Sequence, residues 1–120
     1  MPAAQYDFDL EQGATFDYTL TWVDQQNTPI NLTGYTARMQ FRPGTPDNPV
    51  VALELTSPVS GGVGITLGGV AGTIRLQATA ALTAALTAVP HSYDLELTDG
   101  AGVVTRLIRG IANVTREVTR

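Results

Sequence analysis

Residues 92–120 read SYDLELTDGAGVVTRLIRGIANVTREVTR, and this stretch decides the fold. Tyr93, Leu95 and Leu97 alternate with Asp94, Glu96 and Thr98, which predicts a strand with one apolar and one polar face. Asp99-Gly100-Ala101-Gly102 follows as a reversal, because Gly and Asp tolerate the positive φ that a tight turn requires. Beyond it, Val103, Thr105, Leu107 and Arg109 alternate with Val104, Arg106 and Ile108. The strand pattern resumes at Ile111, Asn113-Val114 and Val118. Two long strands joined by a tight turn predict the spine of a β-sandwich.

Just upstream, ATAALTAALTA (residues 78–88) changes character. Leu82 and Leu86 are spaced for one helical face, and Thr79 can cap, so a short helix is expected near residues 79–88. Further back the period returns to two. Ile74 and Leu76 point inward with Arg75 outward; Val63, Ile65 and Leu67 form another strand; Val51, Leu53 and Leu55 share one side of Val50–Thr56. The loop PGTPDNP (43–49) is the expected mobile or partner-contacting loop. Tyr35, Ala37, Met39 and Phe41 alternate with Thr36, Arg38, Gln40 and Arg42. Arg38 and Arg42 therefore sit on an outer face, either as a basic docking surface or as a solvated sheet face.

In Ala14–Asp24, Phe16, Tyr18, Leu20 and Trp22 fall on one side, which predicts a core strand anchored by the only tryptophan. Tyr6, Phe8 and Leu10 alternate with Asp7, Asp9 and Glu11 in a short first strand. Strands at this rhythm, punctuated by Gly, Pro, Asn and Asp, predict an all-β fold. The expected form is an antiparallel immunoglobulin-like β-sandwich of about seven or eight strands, a single domain over residues 1–120.

A chain of 120 residues is long enough to bury a core without metals or disulfides, and cysteine is absent. That excludes thiolate nucleophiles, iron–sulfur clusters and thiolate zinc sites. No apolar run approaches the roughly 20 residues of a membrane-spanning helix. MPAAQYDFDLEQ has no basic region followed by an apolar one, so no signal peptide is expected. A net charge of −4 argues against a nucleic-acid binder. The charge is uneven: Asp7, Asp9, Glu11, Asp17 and Asp24 precede any basic residue, whereas Arg106, Arg109, Arg116 and Arg120 crowd the C-terminal end.

Chemistry-bearing patterns are sparse. Asp7, Asp9 and Glu11 suggest either a cation site or a charged strand edge that blocks unwanted pairing. No Asp-x-Asp-x-Asp-Gly loop follows, which favours the edge. His91 is the only histidine, no Gly-x-Ser-x-Gly elbow is present, and metal binding through imidazole needs more than one such ligand. GGVGITLGGVAG (61–72) resembles a phosphate loop only in its glycines, without the Gly-Lys-Ser/Thr ending. The expectation is a non-enzymatic protein with no cofactor and no small-molecule substrate.

Two stretches carry a family resemblance. TLTWVDQQNTPINLTGYTARMQFR (19–42) holds Trp22, Asp24, Pro29, Ile30, Leu32, Thr33, Gly34 and Tyr35 of a W-x-D-x-x-G-x-P-I-x-L-T-G-Y-T-A pattern. Tyr93–Thr98 matches Y-D-L-E-L-T, and Arg106, Gly110, Val114, Val118, Thr119 and Arg120 match a closing R-x-x-x-G-x-x-x-V-x-x-x-V-T-R. Thr28 stands where glycine is common. With these patterns the chain resembles small tailed-bacteriophage proteins of the tail, baseplate or fibre-attachment region. More distantly it is similar to the N-terminal β-sandwich of baseplate upper proteins.

The resemblance implies a virion structural component, assembled in the bacterial host cytoplasm, whose partners are other phage proteins and copies of itself. A head-surface, neck or capsid-decoration protein is the alternative within that class. A carbohydrate-binding module is the alternative outside it, and the inward placement expected for the aromatics counts against that. In an assembled protein, Arg106, Arg109, Arg116 and Arg120 are the expected contact element, and the face of Asp7, Asp9 and Glu11 the expected recipient on a neighbour.

Overall fold

The computed structural model describes residues 4–118, and these are mostly β-strand. The strands are β1 (Ala4–Gln5), β2 (Phe8–Glu11), β3 (Phe16–Thr21), β4 (Thr36–Pro43), β5 (Leu53–Thr56), β6 (Gly64–Leu67), β7 (Thr73–Ala78), β8 (Pro90–Thr98) and β9 (Val104–Thr115). A 3-10 turn at Gly69–Ala71 precedes β7, and one helix, α1 (Ala80–Ala84), follows it. The larger sheet runs β5-β4-β8-β9, with β1 and β2 both on the far side of β9; the smaller runs β3-β7-β6.

The two sheets face each other across one core, because alternate residues of each strand are apolar and need cover. Met39 and Phe41 of β4, Leu55 of β5, and Leu95 and Leu97 of β8 meet Ile65 of β6 and Ile74 and Leu76 of β7. All of these are at most 1% exposed. The inward assignments of Tyr93, Leu95, Leu97, Ile74 and Leu76 thus agree with the structure. Phe8, Phe41 and Tyr93 cluster at one end, with Phe8 edge-on to Tyr93 at 5.0 Å between ring centroids.

The sheet is not wholly antiparallel. β1 and β2 run parallel to β9, with Ala4 beside Ile108 and Phe8 beside Ala112. The strand expected over Tyr6–Glu11 starts only at Phe8, as β2, and Tyr6-Asp7 form a break between it and β1. At the break, Tyr6 N donates to Arg109 O at 2.9 Å, and the Asp7 carboxylate accepts the Ile111 amide at 2.8 Å. A side-chain oxygen thus replaces a ladder carbonyl, and the ladder resumes in the same register. Gly110 permits this approach: a Cβ there would overlap Tyr6 O and Asp7 Oδ1.

The expectation of a core strand at 14–24 needs correction. β3 covers only Phe16–Thr21 and is an edge of the small sheet. Phe16 and Leu20 are half-buried, Tyr18 is 38% exposed, and Trp22 is half-buried, edge-on to Tyr35. Alternation gave the correct face, but an edge strand opposite a short β2 has too little above it to seal that face. Past Trp22, the Asp24 carboxylate accepts the amides of Gln26 and Thr28 at 2.9 Å each. Counted along W-x-D-x-x-G-x-P, the glycine position is Asn27 rather than Thr28, and Asn27 takes the left-handed conformation with φ 66° that a glycine there would supply.

Two of the 61–72 glycines, Gly69 and Gly72, hold neighbouring segments through their backbone carbonyls. Trp22 N donates to Gly72 O at 2.9 Å and Leu32 N to Gly69 O at 2.8 Å; a Cβ on Gly72 would press on Trp22 O and Ile30. α1 is shorter than expected but carries its cap, the Thr79 hydroxyl accepting Leu82 N at 3.3 Å. Its end is fixed by buried Thr83, whose hydroxyl donates to Ala14 O at 2.8 Å. The helix stops before Leu86, so Leu86 turns into the core while Leu82 stays 38% exposed.

Candidate functional site

The outer face of the larger sheet is the best-formed surface feature. β4, β8 and β9 supply alternate residues to a shallow depression of about 640 Å³, with Pro46 of the 43–49 loop at its rim. Arg38, Gln40 and Arg42 form one row, Glu96, Asp94 and Ser92 the next, and Arg106, Arg109 and Ile111 the third, as the strand registers dictate.

Strict alternation would put Arg106 and Arg109 on opposite faces of β9. They share one face because of a bulge. Leu95 pairs with Ile108 but Glu96 pairs with Arg106, so Leu107 is the extra residue that resets the phase. The sequence gives no local sign of this, since the turn and the apolar pattern are satisfied with or without it.

Three of the four arginines are tied down. Arg106 forks between Asp94 (Nε to Oδ2, 2.9 Å) and Glu96 (Nη2 to Oε2, 3.2 Å). Arg38 Nε lies 3.0 Å from Glu54 Oε2, which Gln40 Nε2 also approaches. Hydrogen bonds from Gln40 and then Arg38 hold the Glu54 carboxyl below its ordinary range. Arg42 donates to Asn48 O at 2.8 Å and Gln40 Oε1 at 3.0 Å, which pins the 43–49 loop to the sheet. The Ser92 hydroxyl donates to Gly44 O from the same strip. Among the described residues, Arg109 has no carboxylate partner.

The other expected interface residues are distributed as follows. Asp9 and Glu11 lie on β2 beside Asn113 and Thr115, so they edge the same outer face. Asp7 is engaged internally, accepting Ile111 N and Gln5 Nε2. Arg116 is exposed just past the end of β9, and Arg120 lies outside the described residues. The structure therefore brings Arg106 and Arg109 together with Arg38 and Arg42, and leaves the acidic group at the neighbouring edge.

A second concavity, about 370 Å³, opens between β2 and β3 and is lined by Tyr6, Phe8, Phe16 and Tyr18. Tyr6 and Tyr18 are 41% and 38% exposed, against the expectation that aromatics face inward. Their rings stack at 6.0 Å and 15°, and the Tyr18 hydroxyl donates to Tyr6 at 3.3 Å. That hydrogen bond raises the Tyr18 pKa. Tyr93 below them is buried, donates to Tyr6 O, and is pushed far above the ordinary phenol range by burial, with the Asp7 charge adding to it.

His91 is fully buried on the inner face of β8. Its Nδ1 lies 2.8 Å from Val89 O, an acceptor only, so Nδ1 carries the proton and Nε2 faces the interior without a partner. A histidine placed so is out of reach of a substrate. Among the described residues no three acidic or imidazole groups gather as they would around a metal, and no helix is long and apolar enough to cross a membrane. The chemistry the arrangement offers is ion pairing and hydrogen bonding. Compared with known proteins, the chain matches no protein-family model and no curated sequence.

Proposed function

We propose that this chain is a non-enzymatic structural component of a tailed-phage virion, an adaptor or fibre-anchoring protein of the tail or baseplate region that acts through protein–protein contacts. The observation that carries the reading is the outer face of β4, β8 and β9: a broad, charged, loop-rimmed surface with arginines from two strands and no reactive group among them. Together with the resemblance of residues 19–42 and 93–120, it favours docking over chemistry. Arg109 is the arginine free to fork onto a neighbour's carboxylate, with Arg116 beyond it, while Arg106 is engaged by Asp94 and Glu96. Asp9 and Glu11 offer carboxylates to a neighbour in turn.

We infer an immunoglobulin-like sandwich, supported by the order β2-β9-β8-β4-β5 facing β3-β7-β6. With β3 to β9 lettered B, C, C′, D, E, F and G, the orders become G-F-C-C′ and B-E-D. The chain lacks the inter-sheet disulfide of antibody domains and places Phe41, not tryptophan, on β4.

Mass spectrometry of purified virions should find the chain in many copies, and its absence from the particle refutes the proposal. Charge reversal at Arg109 and Arg116 should reduce incorporation. A head-surface, neck or decoration protein would show the same peptides but label a different part of the particle. The exposed Tyr6–Tyr18 pair favours a carbohydrate-binding module as the second reading; a glycan array without binding disposes of it.

A further inference from the structure

We propose that β3 is a self-pairing edge: two copies of the chain join β3 to β3 antiparallel about a two-fold axis through Thr19. Their small sheets then form one continuous sheet. The inference rests on strand geometry and stands or falls independently of the virion reading.

The free edges differ in how they are guarded. β5 and β6 are four residues each, and the β1–β2 edge is broken at Tyr6-Asp7. β3 offers six residues, FDYTLT, with no proline, lysine or bulge, and it ends the small sheet. Short, interrupted or charged edges are how sheets avoid pairing, so β3 is the least protected.

The direction of its backbone groups follows from one bond. Trp22 N donates to Gly72 O, its opposite number in the β3–β7 register, which makes the even-numbered residues the ones bonded to β7. Asp17, Thr19 and Thr21 consequently aim their N–H and C=O groups away from β7, where no strand lies among the described residues.

An antiparallel partner must match odd residues to odd residues. Centring the axis on Thr19 does so over the whole span from Phe16 to Trp22. Thr19 meets Thr19 of the second copy, Asp17 meets Thr21, Tyr18 meets Leu20 and Phe16 meets Trp22. No like charges oppose each other, a Thr–Thr pair sits on the axis, and the half-exposed rings gain apolar neighbours. Centring on Asp17 would set two carboxylates face to face. Asp17 is already held by Arg75 through Nε (2.9 Å) and Nη2 (2.7 Å) on the outer face of the small sheet, so it leaves the edge clear. One strand pair buries far less than the roughly 800 Å² per partner of a stable interface, so the dimer is weak alone and gains from tethering in an assembly.

The chain has no cysteine, which makes single-cysteine trapping clean. Cα atoms in a hydrogen-bonded antiparallel pair are about 5.5 Å apart, within disulfide reach. Under mild oxidation Thr19→Cys should form a disulfide-linked dimer at least tenfold faster than Thr66→Cys on β6. A mixture of Asp17→Cys and Thr21→Cys should give the mixed dimer in preference to either homodimer. Thr19→Pro removes an N–H that β7 does not use, so it should keep the circular dichroism of the fold and abolish wild-type dimer seen by sedimentation at high concentration. Equal trapping of Thr19→Cys and Thr66→Cys overturns the proposal, as does trapping of Thr19→Cys only by a different protein.

Discussion

Replacing Gly110 with alanine tests the account of the parallel edge. The added Cβ would occupy the space of Tyr6 O and Asp7 Oδ1, so β1 must move off β9. Three bonds go with it: Tyr6 N to Arg109 O, Ile111 N to the Asp7 carboxylate, and the Tyr93 hydroxyl to Tyr6 O. At about 1 kcal/mol for each neutral bond and about 2 kcal/mol for the charge-assisted one, the gross loss is about 4 kcal/mol. Tyr6 and Asp7, the residues that hold these bonds, regain backbone freedom worth about 1 kcal/mol each, which offsets roughly half and leaves a net loss of about 2 kcal/mol. With a urea slope of about 1.5 kcal/mol/M, the midpoint should fall by about 1.3 M, followed by Trp22 fluorescence. Hydrogen exchange should show the Ile111 amide losing protection first. Asp7→Asn keeps an acceptor oxygen and should lose less than half as much. A Gly110→Ala protein with an unchanged midpoint and a protected Ile111 amide would refute the reasoning.

Three further outcomes are expected. Leu95→Ala, at 0% exposure between the sheets, should cost about 3 kcal/mol in chemical denaturation, because a cavity replaces contacts from both layers. Thr79→Ala should cost about 1 kcal/mol, since Leu82 N loses its cap; denaturation of the single variant measures it. Arg75→Ala should raise the Asp17 pKa, which its hydrogen bond with Arg75 now holds below the ordinary 3.8. A depressed carboxyl stabilises the fold above its unfolded pKa and loses that contribution as pH falls through the folded value. The melting-temperature gap between wild type and Arg75→Ala should therefore be constant near neutral pH and close below about pH 4; a gap that widens in acid contradicts the pairing.

How far the sequence reached depends on which forces act locally. The inward residues of β4, β7 and β8 were legible because burial imposes a period of two on any strand with one covered face. The 92–115 hairpin was legible for the same reason, helped by Asp99 and the glycines after it. What the period cannot express is a strand's neighbours. FDYTLTW alternates as a core strand would, yet β3 is an edge and Tyr18 reaches solvent. The parallel docking of β1 and β2 depends on Gly110, a hundred residues away, having no side chain.

The candidate surface was half legible. The charge of the C-terminal strand singles out Arg106 and Arg109, and alternation in β4 places Arg38 and Arg42 on an outer face. That all four share a face required the bulge at Leu107, which moves Arg109 across the sheet. The alternation in 6–11 offers Asp7 as a carboxylate for a neighbour, whereas it serves as a ladder acceptor for Ile111. Local charge alone does not separate a carboxylate that completes a backbone ladder from one left for a partner.

The proposal that the chain is a tailed-phage virion component is tested most directly by a cryo-electron-microscopy map of the virions the proposal implies. The expected result is repeated density for this two-layered domain in the tail or baseplate region, with the outer face of β4, β8 and β9 against a neighbouring protein. A map with no such density, from particles that contain no peptide of the chain, would contradict it.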